Sequence, residues 1–213
     1  MDMPQAVTLL LYLALLVALQ RPEQWRWLHQ SHWLQRLLLG TALALLPLWL
    51  LQAGIEPGLE VHVLGLTTAT LVLGWRLALV AGSLTLVTLT LFGVEDGAHL
   101  GANGLFGILV PVLVTEAVRR LAYLYLPRHL FVYFFVCGFF CGALTLVAKM
   151  LSMAAWFHWG LGLSAAKVLD NYLVLMPLLA FPEALLNGMA VTLLAVYRPN
   201  WLKDFHDSDY LGN

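Results

Sequence analysis

Glu60 and His62 precede one apolar stretch, and Glu95, Asp96 and His99 follow the next. Imidazole and carboxylate groups together hold divalent transition metals. Between them the chain reads VLGLTTATLVLGWRLALVAGSLTLVTLTLFGV, two apolar segments around a break at Trp75–Arg76. Folded as a helical hairpin, these segments bring both polar ends to one side. An N-terminus on that side adds the Met1 amine and Asp2, and an amine with deprotonated amides favours square-planar nickel or copper. The plainer alternative is a solvated acidic rim with two unrelated histidines. His62 departs from it, because it opens an otherwise apolar segment, where a polar ring is a functional candidate by default.

The elements that position these groups must be membrane helices. The chain has 213 residues, 61% hydrophobic and 11% charged, with mean hydropathy +0.83. Soluble domains carry about 25% charged residues. The apolar content runs the whole length, which predicts one all-α, polytopic membrane domain over 1–197, with an interfacial segment over 21–36 and a polar cytoplasmic tail over 198–213. A net charge of −1 argues against nucleic acid as a partner. MDMPQ has no basic n-region and no cleavage pattern, so the first helix reads as retained.

A span needs about 20 apolar residues. The pattern predicts about seven transmembrane helices: Ala6–Gln20, Leu37–Ala53, Val61–Gly74, Leu77–Phe92, Gly104–Tyr125, Leu130–Leu151 and Tyr172–Tyr197. Gly93–Asn103 reads as a loop and Ser152–Asn171 as a connection. Trp25, Trp27 and Trp33 with Arg21, Arg26 and Arg36 suit the headgroup level. Alternating the helices collects Arg21–Arg36, Arg76, Arg119–Arg128 and Arg198–Lys203 on one side. The other side gathers Asp2, Glu56, Glu60, Glu95, Asp96 and Asp170, with Lys167 as the basic exception. By the positive-inside rule the N-terminus is outside and the C-terminus inside.

Other residues carry weaker chemistry. Cys137 and Cys141 share a helix face, and with Met150 and Met153 further along they could pass Cu(I). The alternative is small-residue packing beside Gly138 and Gly142. Glu183, after Pro182 and one turn before Asn187, should face the bundle interior. Lys149 is its candidate partner, unless it snorkels outward. His29 and His32 read as interfacial, and His206 with Asp204, Asp207 and Asp209 as a solvated tail. No GxSxG, HExxH or Walker-type sequence appears, so enzymatic chemistry finds no footing.

His62-Val63-Leu64-Gly65, Leu73-Gly74-Trp75, Leu91-Phe92-Gly93 and Ala98-His99-Leu100-Gly101-Ala102-Asn103 occur in order, followed by Glu183-Ala184-Leu185-Leu186-Asn187-Gly188 and Arg198-Pro199. From Leu37 onward this resembles the membrane substrate-binding subunit (permease M type) of cobalt and nickel transporters of the energy-coupling-factor type. The resemblance implies seven helices, an outward N-terminus and a bacterial inner-membrane, multi-pass location. It also implies a non-enzymatic subunit that works with a transmembrane coupling protein and cytoplasmic ATPases. In that family the N-terminal Met-His and the histidine matching His62 bind the metal. Position 2 here is Asp2, which marks a divergent member. The implied donors become Met1, Asp2 and His62, with His99 and Glu60 beside them. The implied substrate is a divalent metal such as nickel, cobalt or zinc, with no organic cofactor. A reading of another class is a stand-alone copper-handling or assembly factor using Cys137 and Cys141.

Overall fold

Asp2 opens the first helix, α1 (Met3–Ala18), with its N–H donating to the Gln5 side chain at 2.8 Å. The structure is a computed structural model that describes residues 2–203. Pro22 starts α2 (Pro22–Gln30), which bends away from α1 by 72°. Ser31 ends α2 and starts α3 (His32–Leu50), its hydroxyl accepting the Leu34 N–H. α3 therefore begins five residues before the expected Leu37.

Two short strands follow, β1 (Gln52–Ala53) and β2 (Val61–His62), paired antiparallel with Gln52 opposite His62. The expected helix over Val61–Gly74 is thus corrected: only Leu66–Leu73, α4, is helical. Gly65 (φ 64°) and Gly74 (φ 75°) bracket it in conformations that side chains with a Cβ resist. α5 (Trp75–Leu91) leads back towards the first polar end.

The long helices are α6 (Gly97–Tyr125), α7 (Leu130–Gly160) and α8 (Ala165–Tyr197). α6 takes in most of the expected loop Gly93–Asn103, and α7 and α8 absorb most of the expected connection Ser152–Asn171. π-helical turns at Asn103–Leu109 and Trp156–Gly160 carry these helices through positions that the apolar pattern reads as ends, and a third, Tyr133–Phe140, lies within the expected helix Leu130–Leu151. Among the described residues, α3, α6, α7 and α8 are long and apolar enough to cross a membrane. The bent α1–α2 pair makes a fifth, and α5 is a shorter apolar helix.

Small residues set the helix spacing. α1 lies directly on α6: a Cβ at Gly101 would strike the Leu9 backbone, and one at Gly104 would strike the Tyr12 ring. Gly138 and Gly142 of α7 sit against Gly188 and Ala184 of α8. The GFFCG run is thus the α7–α8 seam, in keeping with the small-residue interfaces of membrane helices. At the bundle centre the Thr67 hydroxyl meets those of Thr115 and Thr145 at 3.3 and 3.2 Å, joining α4, α6 and α7.

Candidate metal-binding cavity

His62 is placed by three long-range contacts. β1 pairs with its strand. The Trp49 indole lies against its ring, with centroids 4.9 Å apart. The segment just after it is pinned at Leu64: Trp49 Nε1–H donates to the Leu64 carbonyl at 2.9 Å, and the Leu64 N–H donates to Glu183 Oε2 at 2.5 Å. The imidazole Nδ1–H donates to the Val63 carbonyl at 3.2 Å. That leaves Nε2 with the free lone pair, the arrangement in which a second partner fixes the tautomer of a metal-binding histidine.

Glu183 is the anchor of this region. It is fully buried and takes the N–H groups of both Leu64 and Gly65, and the Asn187 amide donates to it at 2.6 Å. Asn187 in turn accepts from the Thr68 N–H and hydroxyl. Together these two side chains of α8 satisfy donors at the N-terminus of α4, which has no preceding turn to do so. A carboxylate there also complements the positive end of the helix dipole. The sequence places Glu183 in the bundle interior, and it is there. Its partners are two backbone N–H groups and the Asn187 amide, and Lys149 forms no ion pair with it.

A cavity of about 40 Å³ opens beside His62, lined by Trp49, Glu60, Glu95, Asn103, Lys149 and Met153 among others. It has room for a water-sized occupant. Glu95 accepts from Gln52 at 2.8 Å and from Asn103 at 2.8 Å, so the loop carboxylate is fixed on two sides. Burial pushes the Glu95 carboxyl above the usual range, and the Lys149 charge opposes that shift. Glu60 holds the turn before β2, accepting the Gly58 N–H at 2.9 Å. Lys149 is 4% exposed, lines this cavity and makes no hydrogen bond or ion pair among the described residues.

The structure brings together His62, Glu60 and Glu95. It leaves Asp2 at the exposed start of α1, with its N–H held by Gln5. His99 ends the first, tight turn of α6 and does not line the cavity. Met1 and the His206 tail lie outside the described residues. Among the described residues no group of three or more His, Cys, Asp or Glu side chains is close enough to hold a metal ion. Cys137 and Cys141 are free thiols buried in α7, away from the cavity's lining. His29 and His32 are exposed near the α2–α3 junction. Trp49, Gln52 and Asn103 carry no local signal of their roles, since each acts on a group brought to it by the fold.

Such a bundle, closed around a small polar cavity near one end, defines a multi-pass membrane protein. Residues 3–201 match the CbiM family, the cobalt uptake substrate-specific transmembrane region, and the chain belongs to that family. It is a membrane component of cobalt uptake, from a family of transport components. No curated protein and no solved structure matches the chain.

Proposed function

We propose that this protein captures a divalent transition-metal ion, cobalt first among them, at the outer end of the bundle, with His62 as its anchoring ligand. The carrying observation is the fixed imidazole, held by Trp49, the Val63 carbonyl and the Glu183 clamp with one nitrogen left to donate. Glu60 and Glu95 share its cavity and supply oxygen donors. Glu95 accepts one hydrogen bond on each oxygen, from Gln52 and Asn103, and keeps a lone pair on each with which to ligate. Met1, Asp2 and His99 are the further donors that the family resemblance names. They would join only by movement of the α1 start and the Gly97–His99 turn.

In this reading the seven passes are α1, α3, the buried segment from β2 through α4, α5, α6, α7 and α8, with α2 lying in the interface. Residues 1–197 form one domain and 198–213 a cytoplasmic tail. The N-terminus faces outward, the C-terminus faces the cytoplasm, and the membrane is a bacterial inner membrane. The protein performs no chemistry itself: a transmembrane coupling protein and cytoplasmic ATPases supply the energy. The test is equilibrium binding of Co, Ni, Zn, Fe, Mn and Cu to the purified protein and to His62→Ala. Cobalt binding that disappears in the variant is expected. Binding left unaltered by the substitution overturns the assignment.

A further inference from the structure

At the end of the bundle opposite His62, a large opening lies between α2, the α4–α5 junction and the chain after α8. Its volume is about 630 Å³, and it is lined by Arg21, Arg76, Lys203, Trp27, Trp33 and Trp201, with Glu23 as the acidic group. Arg21, Arg76 and Lys203 form no ion pair among the described residues, where Glu116 pairs with Arg119 and Arg120, and Glu56 with Lys167. The positions of Arg76 and Lys203 are nevertheless built. Arg76 Nε–H donates to the Leu19 carbonyl at 2.8 Å, and its guanidinium lies 4.0 Å from the centre of the Trp75 ring. The Lys203 N–H donates to the Leu71 carbonyl at 3.0 Å, and its side chain rests against Gly74.

This opening continues into a second one. Trp33, Val72 and Trp201 line both. The second, about 510 Å³, is an apolar groove between α3, α4 and α8, with Arg36 at its mouth. Its bed is made of small residues, among them Gly40, Ala44, Ala69 and Ala190. From Trp33 to Leu48 it follows α3 for fifteen helical steps, about 22 Å at 1.5 Å per step. A cationic, tryptophan-rimmed mouth that leads into an apolar channel of membrane-leaflet length has the shape and charge of one lipid. Tryptophan belts mark the headgroup level, and clustered Lys and Arg attract anionic headgroups.

We propose that this groove is a binding site for one anionic phospholipid, its phosphate held by Arg21, Arg76 and Lys203 and one acyl chain lying along α3. The site is distinct from the metal cavity and does not depend on the metal reading. The groove's far end reaches Gly65 and Thr68. These residues receive the Glu183–Asn187 clamp, so lipid occupancy supports the same turn that places His62.

The test uses the purified full chain in vesicles, reading tryptophan quenching by bromine-labelled phosphatidylglycerol against bromine-labelled phosphatidylcholine. The wild-type protein is expected to prefer the anionic lipid on the order of tenfold or more, because each cation near a headgroup is worth roughly fivefold. Arg21→Gln/Lys203→Gln should remove most of that preference, and Arg21→Lys should keep it. Ala44→Leu, which fills the groove while keeping the mouth, should weaken quenching by both lipids at unchanged helical content. Equal quenching by the two lipids means ordinary boundary lipid and overturns the proposal. So does a preference that survives the double substitution. So does one that appears only when Asp204, Asp207 and Asp209 are neutralised, since the mouth then belongs to the chain's own acidic tail. Cross-linking of a partner membrane protein at Ala44→Cys, without lipid preference, also overturns it.

Discussion

At the His62 end, the carboxylates of Glu95 and Glu183 each accept at least two hydrogen bonds, whereas at the opposite end Arg21, Arg36 and Lys203 carry charge without a paired acid among the described residues. The first region is small, closed and wired through long-range contacts. The second is wide, open and held in place mainly by backbone. Both are polar ends of one bundle, yet their groups answer to different partners. A site for an ion must be fixed before the ion arrives, because ligands held in position bind with less loss of freedom. A surface for a flexible amphiphile needs charge and shape more than exact placement.

The contrast can be broken most forcefully at Glu183. Glu183→Ala leaves the buried Leu64 and Gly65 N–H groups without an acceptor and should lower stability by about 3–5 kcal/mol. Thermal unfolding of the purified protein measures it, and a melting curve like that of the wild type would remove the clamp from its organising role. Glu183→Gln, which can accept one of the two donors, should fall between.

Next in size is Lys149. Its ammonium faces the cavity from α7, where it repels an incoming cation. Lys149→Met should therefore raise cobalt affinity on the order of tenfold, read by isothermal titration. Weaker binding in the variant would mean that the lysine helps to hold the substrate complex.

Trp49→Phe keeps a ring against His62 and loses the Nε1–H bond to the Leu64 carbonyl. A stability loss of about 1 kcal/mol is expected, with cobalt affinity reduced alongside it. If stability falls while affinity does not, the indole serves packing alone.

The smallest effect belongs to the open end. Arg36→Gln should change stability by less than about 0.5 kcal/mol, as exposed substitutions do. A large loss there, in denaturation measurements, would dissolve the distinction between the two ends.

The helical membrane architecture and the family are readable from the chain because hydrophobicity and short motifs are local properties. Glu183 is readable as an inward residue for the same reason: an acid in an apolar run has few places to go. Lys167, the basic exception in the charge pattern, turns out to pair with Glu56 at 2.6 Å. What local patterns miss is the break before α4. Val61–Gly74 looks continuous as apolar sequence, but the acceptors for Leu64 and Gly65 come from a residue more than a hundred positions away, and the strand at His62 depends on Gln52. The cavity is hidden likewise, since Trp49, Asn103 and Lys149 meet only in the folded bundle. The tail begins differently from its polar reading: Leu202 is buried and Lys203 bonds to α4 before the described residues end.

The glycine seats of α1 on α6 have a consequence for the chain ahead of them. Leu9 is locked over Gly101 and Tyr12 over Gly104, so α1 works as a ruler with a fixed zero. Residue 2 stands seven positions up from Leu9, about 10 Å along the axis. One residue inserted between them would lift everything before it by about 1.5 Å and swing it by about 100° around the helix. Chemistry at the start of α1 is therefore specified by length as much as by residue type, and changing the count of residues before Leu9 would re-aim it without altering a single side chain.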